Sequence, residues 1–124
     1  MPSEERARRV ANRILEETAE LLIREVSDPR LKMITITEVK VDREFAYATI
    51  YFSILDDPSR VEEVKIALES ARGFLRSQLA SRIRLRSFPQ LRFRYDPTSV
   101  QVARIEELLA EIKKERESIE EDDS

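Results

Sequence analysis

Apolar residues recur at three- and four-residue steps over the first quarter of the chain. Val10, Ile14, Thr18, Leu21, Leu22 and Val26 trace one stripe, which predicts an amphipathic helix of about six turns. Ser3 stands where an N-cap belongs, and Glu4 and Glu5 follow at the positive end of the helix dipole. The opposite side carries Arg6, Arg9, Arg13, Glu16, Glu17, Glu20 and Arg24. It reads as a solvated face, with extension of a basic surface by the three arginines as the alternative. Ser27-Asp28-Pro29 should stop the helix, because the residue before a proline is pushed out of the helical region. Asp28-Pro29-Arg30-Leu31 then reads as a turn.

The period next changes to two. Ile34–Val41 has the β-branched richness of a strand, but its parity shifts: Ile34 and Ile36 share one face while Val39 and Val41 fall on the other. A β-bulge near Thr37–Glu38 would return all four to the core side. After the loop Asp42-Arg43-Glu44, the segment Ala46–Leu55 alternates strictly. Ala46, Ala48, Ile50, Phe52 and Ile54 suit packing under helices. Tyr47, Thr49, Tyr51 and Ser53 suit a partly solvated face, where the tyrosines either cover the sheet or stack on bases.

Asp56-Asp57-Pro58-Ser59 marks a turn and helix entry, with Ser59 and Glu62 spaced as a capping box. Val64, Leu68, Ala71, Leu75 and Leu79 carry the helical period onward from about Arg60, across Gly73, to about Arg84. Ser87-Phe88-Pro89 breaks it. Leu91, Phe93 and Tyr95 alternate with Arg92 and Arg94, predicting a third strand with an apolar and a basic face. A helical connection between the second and third strands implies that they run parallel through a right-handed crossover. After Pro97, the residues Val102, Ile105, Leu108, Leu109 and Ile112 mark another amphipathic helix; beyond Lys114 apolar content falls away and disorder is expected. Two units follow: residues 1–97 as an α+β domain, and 98–124 as an amphipathic helix with an acidic tail.

Composition narrows the function classes. The chain has no cysteine and no histidine, which removes disulfides, thiolate metal ligation, the usual general base near neutral pH and the commonest transition-metal ligand. No metal or other cofactor is expected. A small carboxylate hydrolase would need Asp28, Asp42 and Asp96 to converge, and each sits beside a turn signal where aspartates close loops. No apolar run approaches a membrane span and the charged N-terminus lacks a signal-like apolar segment, so a cytoplasmic protein is expected. The net charge of −3 misleads until it is mapped along the chain. Residues 1–100 carry 18 basic and 16 acidic side chains, whereas residues 101–124 carry 4 and 9.

Within that distribution one stretch stands apart. Ser70–Tyr95 holds Arg72, Arg76, Arg82, Arg84, Arg86, Arg92 and Arg94 without one carboxylate, and includes Gly73, the only glycine. A mid-helix glycine costs about 1 kcal/mol relative to alanine. Tight helix–sheet packing is one reason to keep it. The other is a kink between two helices where a phosphate backbone comes close, which the flanking arginines favour. Gly73, Ser77, Ala80 and Arg84 form a ridge of small side chains ending in a cation. Bordered by Arg72 and Arg76, such a ridge suits a sugar–phosphate backbone, with guanidiniums supplying bidentate pairing.

These residues resemble the ribosome-binding factor A family of bacterial small-subunit assembly factors. The likeness covers roughly residues 5–97, through Asp28-Pro29-Arg30-Leu31, the Asp42–Tyr47 turn, Ala71-Arg72-Gly73, and Arg84-Leu85-Arg86 followed by Pro89, Leu91 and Phe93. It implies a type II KH-like domain of order α-β-β-α-kink-α-β, in which an Ala-x-Gly kink replaces the GxxG loop of ordinary KH domains. It further implies a monomeric, non-enzymatic factor that binds 16S rRNA and the free 30S ribosomal subunit in late maturation, promotes rRNA processing, and is linked to growth in the cold. Arg72, Arg76, Arg84 and Arg86 are the expected phosphate contacts, with Ala71 and Gly73 setting the kink, Ser77 on the ridge, and Arg82, Arg92 and Arg94 as further contacts. A protein-interaction module that docks an acidic partner is the other class of function open to this sequence.

Overall fold

The computed structural model describes residues 4–97 and 112–114. The expected Ser3 cap, most of the C-terminal helix and the acidic tail lie outside the described residues. The element order is α1 (Glu4–Arg24), β1 (Ile34–Val41), β2 (Tyr47–Ile54), α2 (Val61–Arg82) and β3 (Gln90–Tyr95), with short 3-10 turns at Pro29–Leu31 and Pro58–Arg60. The three strands form one sheet in the order β1-β2-β3. β1 and β2 are antiparallel, and β2 and β3 are parallel, joined by the α2 crossover.

The β1 register shifts between Ile36 and Glu38. Because of that shift, Ile34, Ile36, Val39 and Val41 all pair with core residues of β2, namely Ile54, Phe52, Ile50 and Ala48. The bulge predicted from parity therefore lies where the hydrophobic pattern demanded it. On β3, Leu91, Phe93 and Tyr95 pair with Ala48, Ile50 and Phe52 and complete the apolar face. The helices cover this face. α1 buries Ala7, Ala11, Ile14, Thr18 and Leu21, so its buried stripe takes in two alanines that the predicted one omitted, and Val10, Leu22 and Val26 sit at its margin. α2 buries Val64, Ala67, Leu68, Leu75 and Leu79.

Loop chemistry follows the turn residues. Asp28 accepts the Arg30 backbone N–H at 2.9 Å and holds the Arg30 guanidinium at 2.7 Å; that side-chain hydrogen bond keeps the Asp28 carboxyl below the usual carboxylate range. Asp42 Oδ1 accepts the N–H groups of Ala46 and Tyr47, closing the β1–β2 hairpin, where Phe45 takes a φ of 57°. Asp96 Oδ2 accepts from the Thr37 hydroxyl at 3.1 Å, at the bulge. Asp28 and Asp42 thus stabilise their own loops, and Asp96 ties the end of β3 to the β1 bulge. The expected Ser59 capping box is corrected: Asp57 caps the 3-10 turn by accepting from Ser59 N, the Ser59 hydroxyl also donates to Asp57, and Arg60 at the N-cap of α2 makes no side-chain cap bond. Pro58 starts a 3-10 turn here, so the aspartate preceding it becomes the acceptor.

Thr18 is fully buried and its hydroxyl has no hydrogen-bond partner among the described residues. Its place in the predicted stripe reflects shape rather than polarity. Thr18→Val, nearly isosteric, removes an unpaid desolvation cost and is expected to stabilise the domain by about 1 kcal/mol, read as a raised urea midpoint at constant slope.

Candidate nucleic-acid interface

α2 runs without interruption from Val61 to Arg82. The two-helix reading is therefore corrected: the helix continues through Gly73, whose φ is not positive. Packing explains why. Leu68 before the glycine and Leu75 and Leu79 after it are all fully buried on one face, and such anchoring outweighs a single glycine's cost of about 1 kcal/mol. The tight-packing explanation for Gly73 is corrected as well, since the residue is exposed and a Cβ built there meets nothing within 4 Å. Among the described residues, nothing requires this glycine. Gly73→Ala is accordingly expected to raise stability by about 1 kcal/mol in urea denaturation.

The ridge itself faces outward: Gly73, Ser77, Ala80 and Arg84 are all exposed, and Ala71 is half-buried beside them. Arg72 flanks it, held loosely by Glu69 at 3.4 Å with both side chains about half exposed; such surface pairs are weak and easily exchanged. Past the helix end, Ile83 is buried and extended, and swings Arg84 and Arg86 into solvent. Neither makes an ion pair or hydrogen bond with a described residue.

Two expected phosphate contacts are placed differently. Arg76 is half-buried and donates through Nε to the Pro89 carbonyl at 3.1 Å and through Nη2 to the Phe88 carbonyl at 2.6 Å. It ties α2 to the entry of β3. Arg82 donates to Glu17 at 2.9 Å, and this bond holds the Glu17 carboxyl below its ordinary range. Both guanidiniums are engaged within the fold, Arg76 by carbonyls of the segment that returns to β3 and Arg82 by a carboxylate of α1, and neither use has a signature in the local sequence.

Arg92 and Arg94 lie elsewhere. Their register partners on β2 are Thr49 and Tyr51, so they belong to the face of the sheet that the described helices leave open. The Arg92 guanidinium sits 3.4 Å above the Tyr47 ring centroid, and Lys40 Nζ is 5.5 Å from that of Tyr51. The seven arginines thus divide among three settings: Arg72, Arg84 and Arg86 around the α2 ridge, Arg92 and Arg94 on the sheet, and Arg76 and Arg82 inside the fold.

The family model for ribosome-binding factor A matches residues 6–109. The chain belongs to that family. The match runs beyond Pro97, where the resemblance visible in the sequence motifs ended. Among curated ribosome-binding factors A, that of Chromohalobacter salexigens is 47% identical over 108 residues, covering 86% of this chain and 82% of the relative. That of Nitrosomonas europaea is 43% identical over 103 residues, covering 83% and 88%. Solved structures agree in fold. The solution structure of a putative ribosome-binding factor A from Thermotoga maritima superposes with a TM-score of 0.67 at 29% identity, covering 81% of this chain and 95% of that one. A homology model of the Thermus thermophilus factor, fitted into a cryo-electron-microscopy map of a 30S complex, gives 0.55 at 27% identity, covering 66% and 86%. A helix–strand–strand–helix–strand chain with a mixed sheet is the KH-like architecture of ribosome-binding factor A. Among the described residues, no helix is long and apolar enough to cross a membrane, and no group of three acidic side chains is arranged to hold a metal ion.

Proposed function

We propose that this chain is a cytoplasmic, non-enzymatic assembly factor that binds the free 30S subunit through 16S rRNA and promotes late maturation and rRNA processing. The observation that carries this reading is the exposed α2 ridge. Small side chains leave main chain accessible at Gly73, and Arg72, Arg84 and Arg86 border it with no carboxylate in Ser70–Tyr95. A phosphate backbone approaching the ridge meets guanidiniums suited to bidentate pairing. Arg76 acts as a positioning residue, holding the 83–89 segment from which Arg84 and Arg86 project. Such a factor works by differential affinity: whichever rRNA conformation it binds more tightly gains population by that difference. Residues 1–97 supply the RNA-binding domain in this reading, with 98–124 as a separate segment.

The test is co-sedimentation with free small subunits at several salt concentrations. Specific phosphate binding requires affinity to fall steeply with salt, and Arg72/Arg84/Arg86→Glu to stay in the supernatant. Retention of that variant on subunits, or equal binding of the wild type to an acidic protein, overturns the reading in favour of a protein-docking module. Gly73→Ala supplies a sharper contrast, because under this reading the stabilising methyl group stands where the RNA backbone approaches and weakens binding.

A further inference from the structure

The α1 arginines Arg6, Arg9 and Arg13 are exposed, as the solvated-face reading expected, and they also border a groove. Arg6, Arg9 and Arg13 follow one another at three- and four-residue steps and so share a side of α1. That side looks across at the segment leaving α2. Arg13 Nη2 reaches the Arg82 carbonyl at 3.4 Å, close to the negative end of the α2 dipole, and so ties the two elements together. Between them runs an open groove of about 310 Å³, lined by Arg6, Arg9, Arg13 and Arg84 over a floor of Val10, Ile83 and Leu85. No carboxylate lines it. Glu17, one turn beyond, is engaged by Arg82 at 2.9 Å and Arg13 at 3.5 Å. Arg9 and Arg84 have no ion-pair partner among the described residues, and Arg6 only leans on the Phe45 ring at 5.2 Å.

Four guanidiniums around one groove repel one another, and the arrangement becomes favourable when an anion lies between them. From Arg6 to Arg13 the helix rises about 10 Å, long enough for more than one phosphate of a strand, while the apolar floor accepts the ribose faces between phosphates. Arg84 belongs both to this groove and to the end of the α2 ridge, so the two surfaces are continuous. We propose that the groove between α1 and the α2–β3 segment is a second phosphate track, which takes the backbone of the same RNA that lies on the α2 ridge. This rests on the RNA-binding reading above and extends it to the N-terminal helix.

The test compares Arg6/Arg9/Arg13→Gln in the full chain with a charge-matched control, Arg8/Arg24/Lys65→Gln, whose cations are exposed and line none of this groove. Glutamine keeps helix propensity, and thermal unfolding monitors the fold. Binding to a 16S rRNA transcript is titrated against salt. The groove variant is expected to lose affinity by roughly tenfold or more and to flatten the log–log salt slope by about 2, at about 0.7 per single-strand phosphate; the control should change each far less. Should the triple variant unfold, Arg9→Gln alone breaks no observed contact and must still flatten the slope by about 0.7. Equal effects from the two triple variants, or an unchanged slope for Arg9→Gln, overturn the second track while leaving the ridge reading in place. A wild type that fails to bind the transcript overturns both. Loss of binding to polyglutamate as large as the loss with RNA would assign the groove to an acidic protein instead.

Discussion

Charge reversal at Arg72, Arg84 and Arg86 is expected to weaken binding to free small subunits by at least a thousandfold while leaving the fold intact. All three side chains are exposed, and among the described residues the only ion pair broken is that of Arg72 with Glu69 at 3.4 Å, an exposed contact whose loss is minor. A glutamate at position 72 adds a like-charge pair one helical turn from Glu69, again a matter of tenths of a kcal/mol. The cost to binding is far larger. Each charge-assisted hydrogen bond to phosphate contributes roughly 1.5–3 kcal/mol, and reversal adds repulsion to the loss. Three such sites together exceed about 4 kcal/mol, or three decades in affinity. The salt slope separates mechanisms: it should flatten with each guanidinium removed if the contacts are phosphates. The corresponding glutamine variants should fall between wild type and glutamate, because they delete attraction without adding repulsion. Binding is read by co-sedimentation, and stability of the free variant by thermal unfolding.

The fold was legible wherever burial on one face constrained residue type. In β1 the parity change from Ile34 and Ile36 to Val39 and Val41 located a bulge because no other register buries all four. In β3, arginines alternating with Leu91, Phe93 and Tyr95 identified a strand with one covered face, and the helical crossover required it to be parallel to β2. What stayed hidden depended on long-range contacts. Ser53, read as solvent-facing, is buried and donates to the Asp96 carbonyl at 2.8 Å across 43 residues. Thr18 fitted an apolar stripe by shape, yet its hydroxyl's isolation emerged only from packing. The arginines were indistinguishable by local sequence. Arg76 and Arg82 are drawn inward because carbonyls at 88 and 89 and a carboxylate at 17 arrive from elsewhere in the chain. Gly73 illustrates the opposite error, a local preference overruled: its helix-breaking tendency is small beside the burial of Leu68, Leu75 and Leu79. On α1 the exposure of Arg6, Arg9 and Arg13 was legible, and a basic surface was the stated alternative; that Arg84 stands across the groove from them depends on the fold.

Phe52→Ala is expected to destabilise the domain by about 3–5 kcal/mol, the range for deleting a buried aromatic side chain. Phe52 is fully buried on the central strand and, among the described residues, is the largest side chain so enclosed. Its ring lies 5.6 Å from that of Tyr95 at an angle of 45°, a tilted contact joining β2 to the end of β3. Its own carbonyl accepts the Asp96 N–H at 2.7 Å, so the same residue holds β3 by backbone and by side chain. Truncation leaves a void on the helix-covered face of the sheet, beside Ile36, the β1 partner of Phe52, which is held in its own register and cannot fill it. With domains of this size stable by only about 5–15 kcal/mol, the loss removes a large share of the total. Urea denaturation should show a lower midpoint at an unchanged slope. RNA binding gives the contrast with the arginine variants. Where Phe52→Ala is still folded, at low temperature and low denaturant, its affinity should match wild type, because no ridge or groove arginine touches this side chain. Weakened binding under those folded conditions would instead tie sheet packing to the geometry of Arg84 and Arg86, through β3 and the segment that Arg76 anchors.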